Sequence, residues 1–339
     1  VVATGQVQGD EVEDPSASSM PLVRLSRLGR AVSPLDDVWA TRELRELIGD
    51  LKPDVVNTHT AKAGLVGRAA ALSLGRNRPA LVHTVHGHLL TGYFSPLAVR
   101  GISTSERLMA SASDLVLAAG EKVRDDLVSA GIVGADKVRV VRPGVRDFDR
   151  IDAAAARVQL GAPALRSGAV VAGWLARVVR VKRPDRLVGA ALRTPEVEYL
   201  VGGDGVLREG LDQRAPANLH SLGWADPATF WSAVDLAVLT SDNEAMPYSL
   251  VEAGLAGLAA VTTNAGSAAE VVVDGVTGLV VDKDPGAVAE GVRALVADEP
   301  LRQRMGEAAR ARALVEFSPE RMLGEHRAAY EEALSRQHS

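Results

Sequence analysis

The chain contains no cysteine, which excludes disulfides and thiolate metal sites and is compatible with a reducing compartment such as the cytosol. Aromatic residues make up only 4% of its 339 residues, so the core must be mostly aliphatic. No apolar run approaches the roughly 20 residues that a membrane span needs. Positive excess is also missing: 38 Lys and Arg against 43 Asp and Glu give a net charge of −5, so nucleic acid is not an expected partner. Neither a G-x-S-x-G turn nor a Walker A glycine–lysine loop occurs, which argues against hydrolase and P-loop chemistry. Lysine is scarce beside arginine, and each lysine therefore invites inspection.

What is present is alternation. Short apolar runs separated by amphipathic segments recur throughout, the pattern of parallel α/β sheets. Strands are expected at Val1–Ala3, Leu22–Leu25, Val55–Thr58, Leu81–Val85, Leu115–Ala118 and Val138–Val141. A second set is expected at Ala169–Gly173, Tyr199–Gly202, Leu219–Leu222, Leu236–Leu239, Ala259–Thr262 and Gly278–Val281. Helices are expected at Leu35–Leu51, Gly64–Leu74, Ile102–Ser111, Lys122–Ala130 and Pro319–Leu334. Residues 5–20 are acidic and turn-rich and read as a mobile surface loop. The length suits two domains, and the Pro143-Gly144 turn followed by an alanine-rich stretch marks their boundary.

One stretch organises the rest: LAVLTSDNEAMPYSLVEAGLAG, residues 236–257. A buried strand gives way to a polar loop, Pro247 marks the turn, and helical spacing resumes from Tyr248. The first-turn N–H groups of Ser249, Leu250 and Val251 then lack helical partners and suit a diphosphate. Glu244 on the loop is placed to accept sugar hydroxyls, and Glu252, one turn into the helix, those of a ribose. Taken alone, the pair also fits a helix-end charge and a solvated face residue.

Other segments carry similar double readings. GWLARVVRVKRPDRL (173–187) sets Gly173, Arg177 and Lys182 after a strand, where Gly173 permits close backbone approach and two cations can meet one diphosphate; a solvated basic helix start fits too. VGGDG (201–205) offers Gly203 and Asp204 to a nucleotide or is simply a tight turn, with the Leu222–Trp224 strand end completing a base site. HTVHGHLLTGYF (83–94) holds three of the seven histidines. His83 reads as structural, and His88 favours neither reading. A zinc site from His83, His86 and His88 is a poor candidate without a cysteine. NTHTAKAG (57–64) brings Lys62 and Gly64 to a strand-to-helix junction, suited to an acceptor phosphate or to a solvated lysine. The triplets Asp147-Phe148-Asp149 and Asp282-Lys283-Asp284 adjoin none of these segments, so no metal is expected.

The E-x7-E spacing of Glu244 and Glu252 in EAMPYSLVE resembles that of retaining family 4 glycosyltransferases with the GT-B fold. The resemblance continues through SLGWADPATFWSAVDLAVLTS before it and VVVDGVTGLVV after it. GWLARVVRVKR resembles the family's G-x3-R-x4-K-G segment, with Arg183 where glycine is commoner, and VGGDG resembles its G-x-G turn. What the resemblance implies is an α/β protein of two Rossmann-like domains facing a cleft. An N-terminal acceptor domain would span 1–145, a linker 146–168 and a nucleotide-sugar-binding domain 169–317, with helix 318–339 returning to the first domain. A strand, glycine loop and helix usually precede the equivalent of VVATG, so the N-terminal domain looks partial.

The implied activity is retaining transfer of a sugar, from a UDP-sugar by preference, to a glycan or lipid-linked hydroxyl. No cofactor or metal is implied, and peripheral contact with the cytoplasmic face of a membrane is. By the same resemblance the catalytic set is His86, Arg177, Lys182 and Glu244. His86 would bind the donor sugar from across the cleft. Donor contacts would come from Gly173, Gly203, Asp204, Ala245, Met246, Ser249, Leu250 and Glu252. Lys62 and Gly64 would meet the acceptor. Two rival classes stand beside this one, a nucleotide-sugar epimerase of the same fold and a binding-only homologue.

Overall fold

A computed structural model describes residues 1–6, 21–29, 31, 33–87, 96–163 and 165–337, with backbone alone at 96–102. His88 and most of the acidic segment 5–20 lie outside the described residues. The chain divides into two compact units: Val1–Ala118, Arg124–Val140 and His326–Ser339 form one, and Ala119–Val123 with Val141–Glu325 the other.

In the first unit the chain order is β1 (Val2–Thr4), β2 (Leu22–Arg24), α1 (Pro34–Leu51), β3 (Val55–His59), α2 (Ala61–Leu72) and β4 (Ala80–Val85). Then come α3 (Pro96–Ala112), β5 (Leu115–Ala118), α4 (Glu121–Ser129, in this unit from Arg124 on) and β6 (Val138–Val140). Strands β3-β4-β5-β6 make a parallel sheet in that order, and β1 pairs with β2 in parallel. Every residue of β4 and β5 is buried, as expected of strands covered on both faces.

The second unit contains α5 (Ala153–Gln159), β7 (Val171–Leu175), α6 (Pro184–Ala191), β8 (Glu198–Gly202), α7 (Arg208–Asp212), β9 (Leu219–Gly223), α8 (Pro227–Ser232) and β10 (Leu236–Leu239). It continues with α9 (Tyr248–Leu255), β11 (Ala260–Thr263), α10 (Ala268–Val271), β12 (Gly278–Val281), α11 (Pro285–Ala297) and α12 (Glu299–Glu316). The last helix, α13 (Pro319–Gln337), passes from this unit into the first at His326. There Tyr330 accepts a hydrogen bond from Asn57 at 2.9 Å, and Glu332 pairs with Arg139 at 2.7 Å.

The six-stranded sheet of the second unit runs β12-β11-β10-β7-β8-β9, all parallel. Its side chains alternate between two cores, as a period of two requires. Ala237, Leu239 and Leu200 face a cluster with Phe230, Trp231 and Leu250, while Leu236, Val238, Tyr199 and Val201 face one with Trp174, Leu187 and Val292. The large residue Phe230 needs room. A Cβ on Gly173 would lie 3.0 Å from its ring and 2.9 Å from Val234, and one on Gly202 would lie 2.9 Å from the same ring. Gly173 is therefore a packing glycine. The side that lacks a Cβ meets α8 and its flank.

The twelve strands lie within two residues of their expected positions. The helix after β3 starts at Ala61, three residues before the expected Gly64, because the Gly64 amide already donates to the Thr60 carbonyl at 2.9 Å. Helix α5 falls inside the expected linker, its start fixed by Asp152 accepting from the Ala155 amide.

Candidate functional site

The second sheet reverses its strand order between β7 and β10, which are neighbours. In parallel α/β sheets the crevice beyond the carboxyl ends at such a switch point is where ligands bind. The loops after these two strands carry Lys182 and Glu244, and the structure brings them together. Lys182 Nζ lies 2.6 Å and 2.8 Å from the two Glu244 carboxylate oxygens. Ser241 Oγ donates to the same carboxylate at 2.5 Å, and Glu244 is only 7% exposed. Two groups read from the sequence as separate ligands of sugar and diphosphate thus neutralise each other.

The surrounding loops are laced tightly. Thr240 Oγ1 donates to the Lys182 carbonyl at 2.9 Å and accepts from Trp174 Nε1 at 3.0 Å. The Asp242 amide donates to Val181 O at 2.8 Å. Arg183 closes the Arg180–Lys182 turn in the left-handed region, φ 52°, a conformation that costs a side-chain-bearing residue about 1–3 kcal/mol. That is the physical reason glycine suits this position. Arg177 is exposed and, among the described residues, has no side-chain ion pair.

Helix α9 begins at Tyr248 with Pro247 as its N-cap. The Leu250 and Val251 amides donate to the Pro247 carbonyl at 3.1 and 3.3 Å. Among the described residues, the first-turn amides without a partner are consequently those of Tyr248 and Ser249, a shift from the expected set of Ser249, Leu250 and Val251. The Leu250 and Met246 side chains belong to the core, which leaves backbone alone for a ligand at those residues and at the half-buried Ala245. Glu252 receives a hydrogen bond from buried Trp231 Nε1 at 3.2 Å. Burial pushes its carboxyl above the usual range, against the Trp231 hydrogen bond and with help from Asp226.

Beyond β8 the chain turns close to its neighbour. Gly203 (φ 123°) has no space for a Cβ, which would meet Ala176 O at 2.0 Å. Its amide donates to Gly223 O at 2.6 Å, and Asp204 is exposed beside it. Trp224 follows β9 with 81% of its surface exposed, an aromatic face at the same sheet edge. Of the D-x-D aspartates, Asp147 pairs with Arg310 at 2.8 Å, and Asp284 caps α11.

In the first unit His59 ends β3 and His86 follows β4. His59 Nδ1 and His86 Nε2 are 2.7 Å apart. Solvent still reaches both residues, yet the protein packed around the rings lowers both titrations. His59 falls to about 4 through burial first, then through His86 and His326; His86 falls through burial and His326. His83, read as structural, is 2% exposed. Its Nδ1 is 2.9 Å from Thr58 Oγ1, and burial, then Arg68 and His59, push it down to about 3. Gly64 leaves room for this ring, since a Cβ there would lie 2.5 Å from it. Lys62 pairs with Asp37 at 2.8 Å and donates to Ala31 O.

Comparison with known proteins decides the family. Residues 2–147 match the model described as Glycosyltransferase Family 4, and residues 162–312 the model described as Glycosyl transferases group 1. A D-inositol 3-phosphate glycosyltransferase of Xylanimonas cellulosilytica is 32% identical over 286 residues, 76% of this chain and 67% of that protein. The chain is a family 4 type glycosyltransferase of the GT-B fold. The capsular polysaccharide biosynthesis glycosyltransferase CapM of Staphylococcus aureus is 24% identical to this glycosyltransferase, over 85% of this chain and 79% of its own. In fold it is similar to sucrose-phosphate synthase from Thermosynechococcus elongatus, with TM-score 0.79, 20% identity and coverage of 93% and 83%. Anabaena HepE, solved with UDP and glucose, gives TM-score 0.78 at 22% identity, covering 93% and 87%. No described helix of the glycosyltransferase is long and apolar enough to cross a membrane.

Several residues of this edge carry no sequence signal of their own. Ser241, Asp242, Arg186 and Trp231 are ordinary loop or helix residues until the fold sets them around Lys182, Glu244 and Glu252. His59 is legible only as a strand-end histidine.

Proposed function

We propose that the protein transfers a hexose-type unit, with retention of anomeric configuration, from a nucleoside diphosphate sugar to a hydroxyl of a lipid-linked or polysaccharide glycan presented at a membrane face. The observation that carries the reading is the Lys182–Glu244 pair at the β7/β10 switch point, beside the unpartnered amides of Tyr248 and Ser249. The diphosphate docks on those amides with Arg177 and Lys182, which stabilise negative charge as the nucleoside diphosphate leaves. Lys182 then shares its protons between Glu244 and phosphate oxygen. Glu244, with the backbone of Ala245 and Met246, orients the sugar hydroxyls, and Glu252 accepts from the ribose.

Gly203 and Asp204 border the nucleoside, and Trp224 offers its face to the base. UDP is the favoured nucleotide, an inference supported by the UDP bound to HepE. The first unit supplies the acceptor site. His86, neutral at pH 7, hydrogen-bonds a sugar hydroxyl, and Lys62 at the start of α2 meets an acceptor phosphate by exchanging Asp37 for it. Among the described residues no carboxylate is placed as a nucleophile, which favours front-face substitution. The C1–O bond to the diphosphate breaks, the acceptor oxygen bonds to C1 on the same face, and the departing phosphate oxygen takes the acceptor's proton.

Calorimetric titration with UDP, GDP and UDP-glucose tests the donor half of the reading. One nucleoside diphosphate is expected to bind at micromolar Kd, at least tenfold more weakly to Glu252→Ala. Absence of binding by either nucleotide contradicts the reading.

A further inference from the structure

The donor edge contains a charged bridge that the transfer chemistry does not use directly. Asp242 stands between two arginines. Arg186 Nη2 donates to its carboxylate at 2.8 Å and Arg183 Nη1 at 3.1 Å. Burial alone would raise the Asp242 carboxyl; the hydrogen bonds from Arg186 and Arg183 outweigh it and hold the group below its usual range. The Arg186 side chain is 2% exposed, Asp242 43%. Arg186 also donates to the Thr240 and Ser241 carbonyls. Arg183 forms a second, two-pronged pair with Asp185 at 2.8 and 2.9 Å.

Each arm reaches a different part of the site. Arg183 is the residue after Lys182 and adopts a backbone conformation that favours glycine. Asp242 lies two residues before Glu244 and one after Ser241, the hydroxyl that holds Glu244. The bridge therefore ties the turn bearing Lys182 to the loop bearing Glu244 through side chains, in parallel with the Asp242 N–H to Val181 O bond. What a glycine would supply through conformational freedom, this chain supplies through ion pairs.

We infer that Asp242 is a positioning residue which, by bridging Arg183 and Arg186, fixes Lys182 against Glu244 so that its ammonium stands ready for the donor diphosphate. The inference rests on the donor reading for its purpose, but the bridge is testable without it. Asp242→Ala is compared with wild type by acetylating the native protein with acetic anhydride and quantifying each lysine by peptide mass spectrometry. Lys283, exposed in the same unit, is the internal reference.

The Lys182/Lys283 labelling ratio is expected to rise about fivefold in Asp242→Ala and to stay near wild type in Asp242→Glu. Affinity for whichever of UDP or GDP the wild type binds is expected to fall about tenfold. Arg183→Gly in the Asp242→Ala background is expected to recover part of that affinity, because glycine adopts the turn unaided. An unchanged labelling ratio in Asp242→Ala, with or without a lower Tm, overturns the inference. Should the wild type bind neither nucleotide, the donor reading fails and the labelling ratio alone decides the bridge.

Discussion

At the carboxyl edge of the second sheet, charges answer one another: Lys182 with Glu244, and Arg183 and Arg186 with Asp242, all within 3.1 Å. At the carboxyl edge of the first sheet the side chains are imidazoles, His59 and His86 in contact and His83 beneath them, all shifted toward the neutral form. Charged pairs flank them: Lys62 with Asp37 at 2.8 Å at the start of α2, and in the interior fully buried Arg68 with Glu106 at 2.7 Å. On the proposed function, the contrast follows from the ligands each edge would take. A diphosphate needs cations that are already oriented, and a carboxylate partner keeps such cations ordered until the anion arrives. A sugar hydroxyl needs a neutral donor or acceptor of fixed direction, which a lowered imidazole provides.

The largest effect expected from breaking this arrangement lies beneath the first edge. Arg68→Ala leaves Glu106 as an unpaired buried charge and is expected to cost about 3–5 kcal/mol of stability, read from the urea midpoint. A Glu106→Ala loss of similar size, non-additive with it, confirms the pair as one unit. Next, Lys182→Ala is expected to lower donor turnover about 10²–10³-fold with a modest change in Tm. A drop under threefold would make the Lys182–Glu244 pair structural only. Gly64→Ala drives a Cβ into the His83 ring and is expected to cost about 1–3 kcal/mol, whereas Gly49→Ala, where a Cβ meets nothing within 4 Å, is expected to be neutral or stabilising.

The smallest effect is on pH dependence. A histidine with a lowered native pKa binds fewer protons folded than unfolded, so its contribution is complete above the unfolded value of 6.5 and is lost as pH falls. For buried His83 this linkage amounts to about 0.7 kcal/mol between pH 7 and pH 6. Less is expected from His59, which keeps solvent access. Thermal melts of wild type and His83→Gln measure it, the variant showing the shallower slope. Asp242 and Asp185 at the donor edge, held below the usual carboxylate range by hydrogen bonds from arginines, are expected to add nothing in that window.

The strands were legible because parallel strands buried on both faces read as short apolar runs, and Leu115–Ala118, Leu236–Leu239 and Gly278–Val281 appear where expected to the residue. The loops bearing Lys182 and Glu244 were legible for the same reason, as polar interruptions after strands. Their mutual contact was not. It joins residues 62 apart in sequence, and a two-carboxylate spacing says nothing about which cation neutralises which acid. Glycines are ambiguous for a related reason. Gly173 and Gly64 are consistent with close approach by something, and only the packing shows Phe230, Val234 and the His83 ring on the sides that lack a Cβ. Arg183 stands where glycine is commoner, and its left-handed backbone is accompanied by the ion pairs that Asp185 and Asp242 give.

The measurement that tests the central claim most directly is nucleotide binding dissected by unit. The wild type, Glu252→Ala and His86→Ala are titrated calorimetrically with UDP and GDP. The account predicts micromolar binding of one nucleotide, weakened at least tenfold by Glu252→Ala and changed less than twofold by His86→Ala. Binding that is indifferent to Glu252, or that is lost with His86, would contradict a donor site built on the β7/β10 switch point.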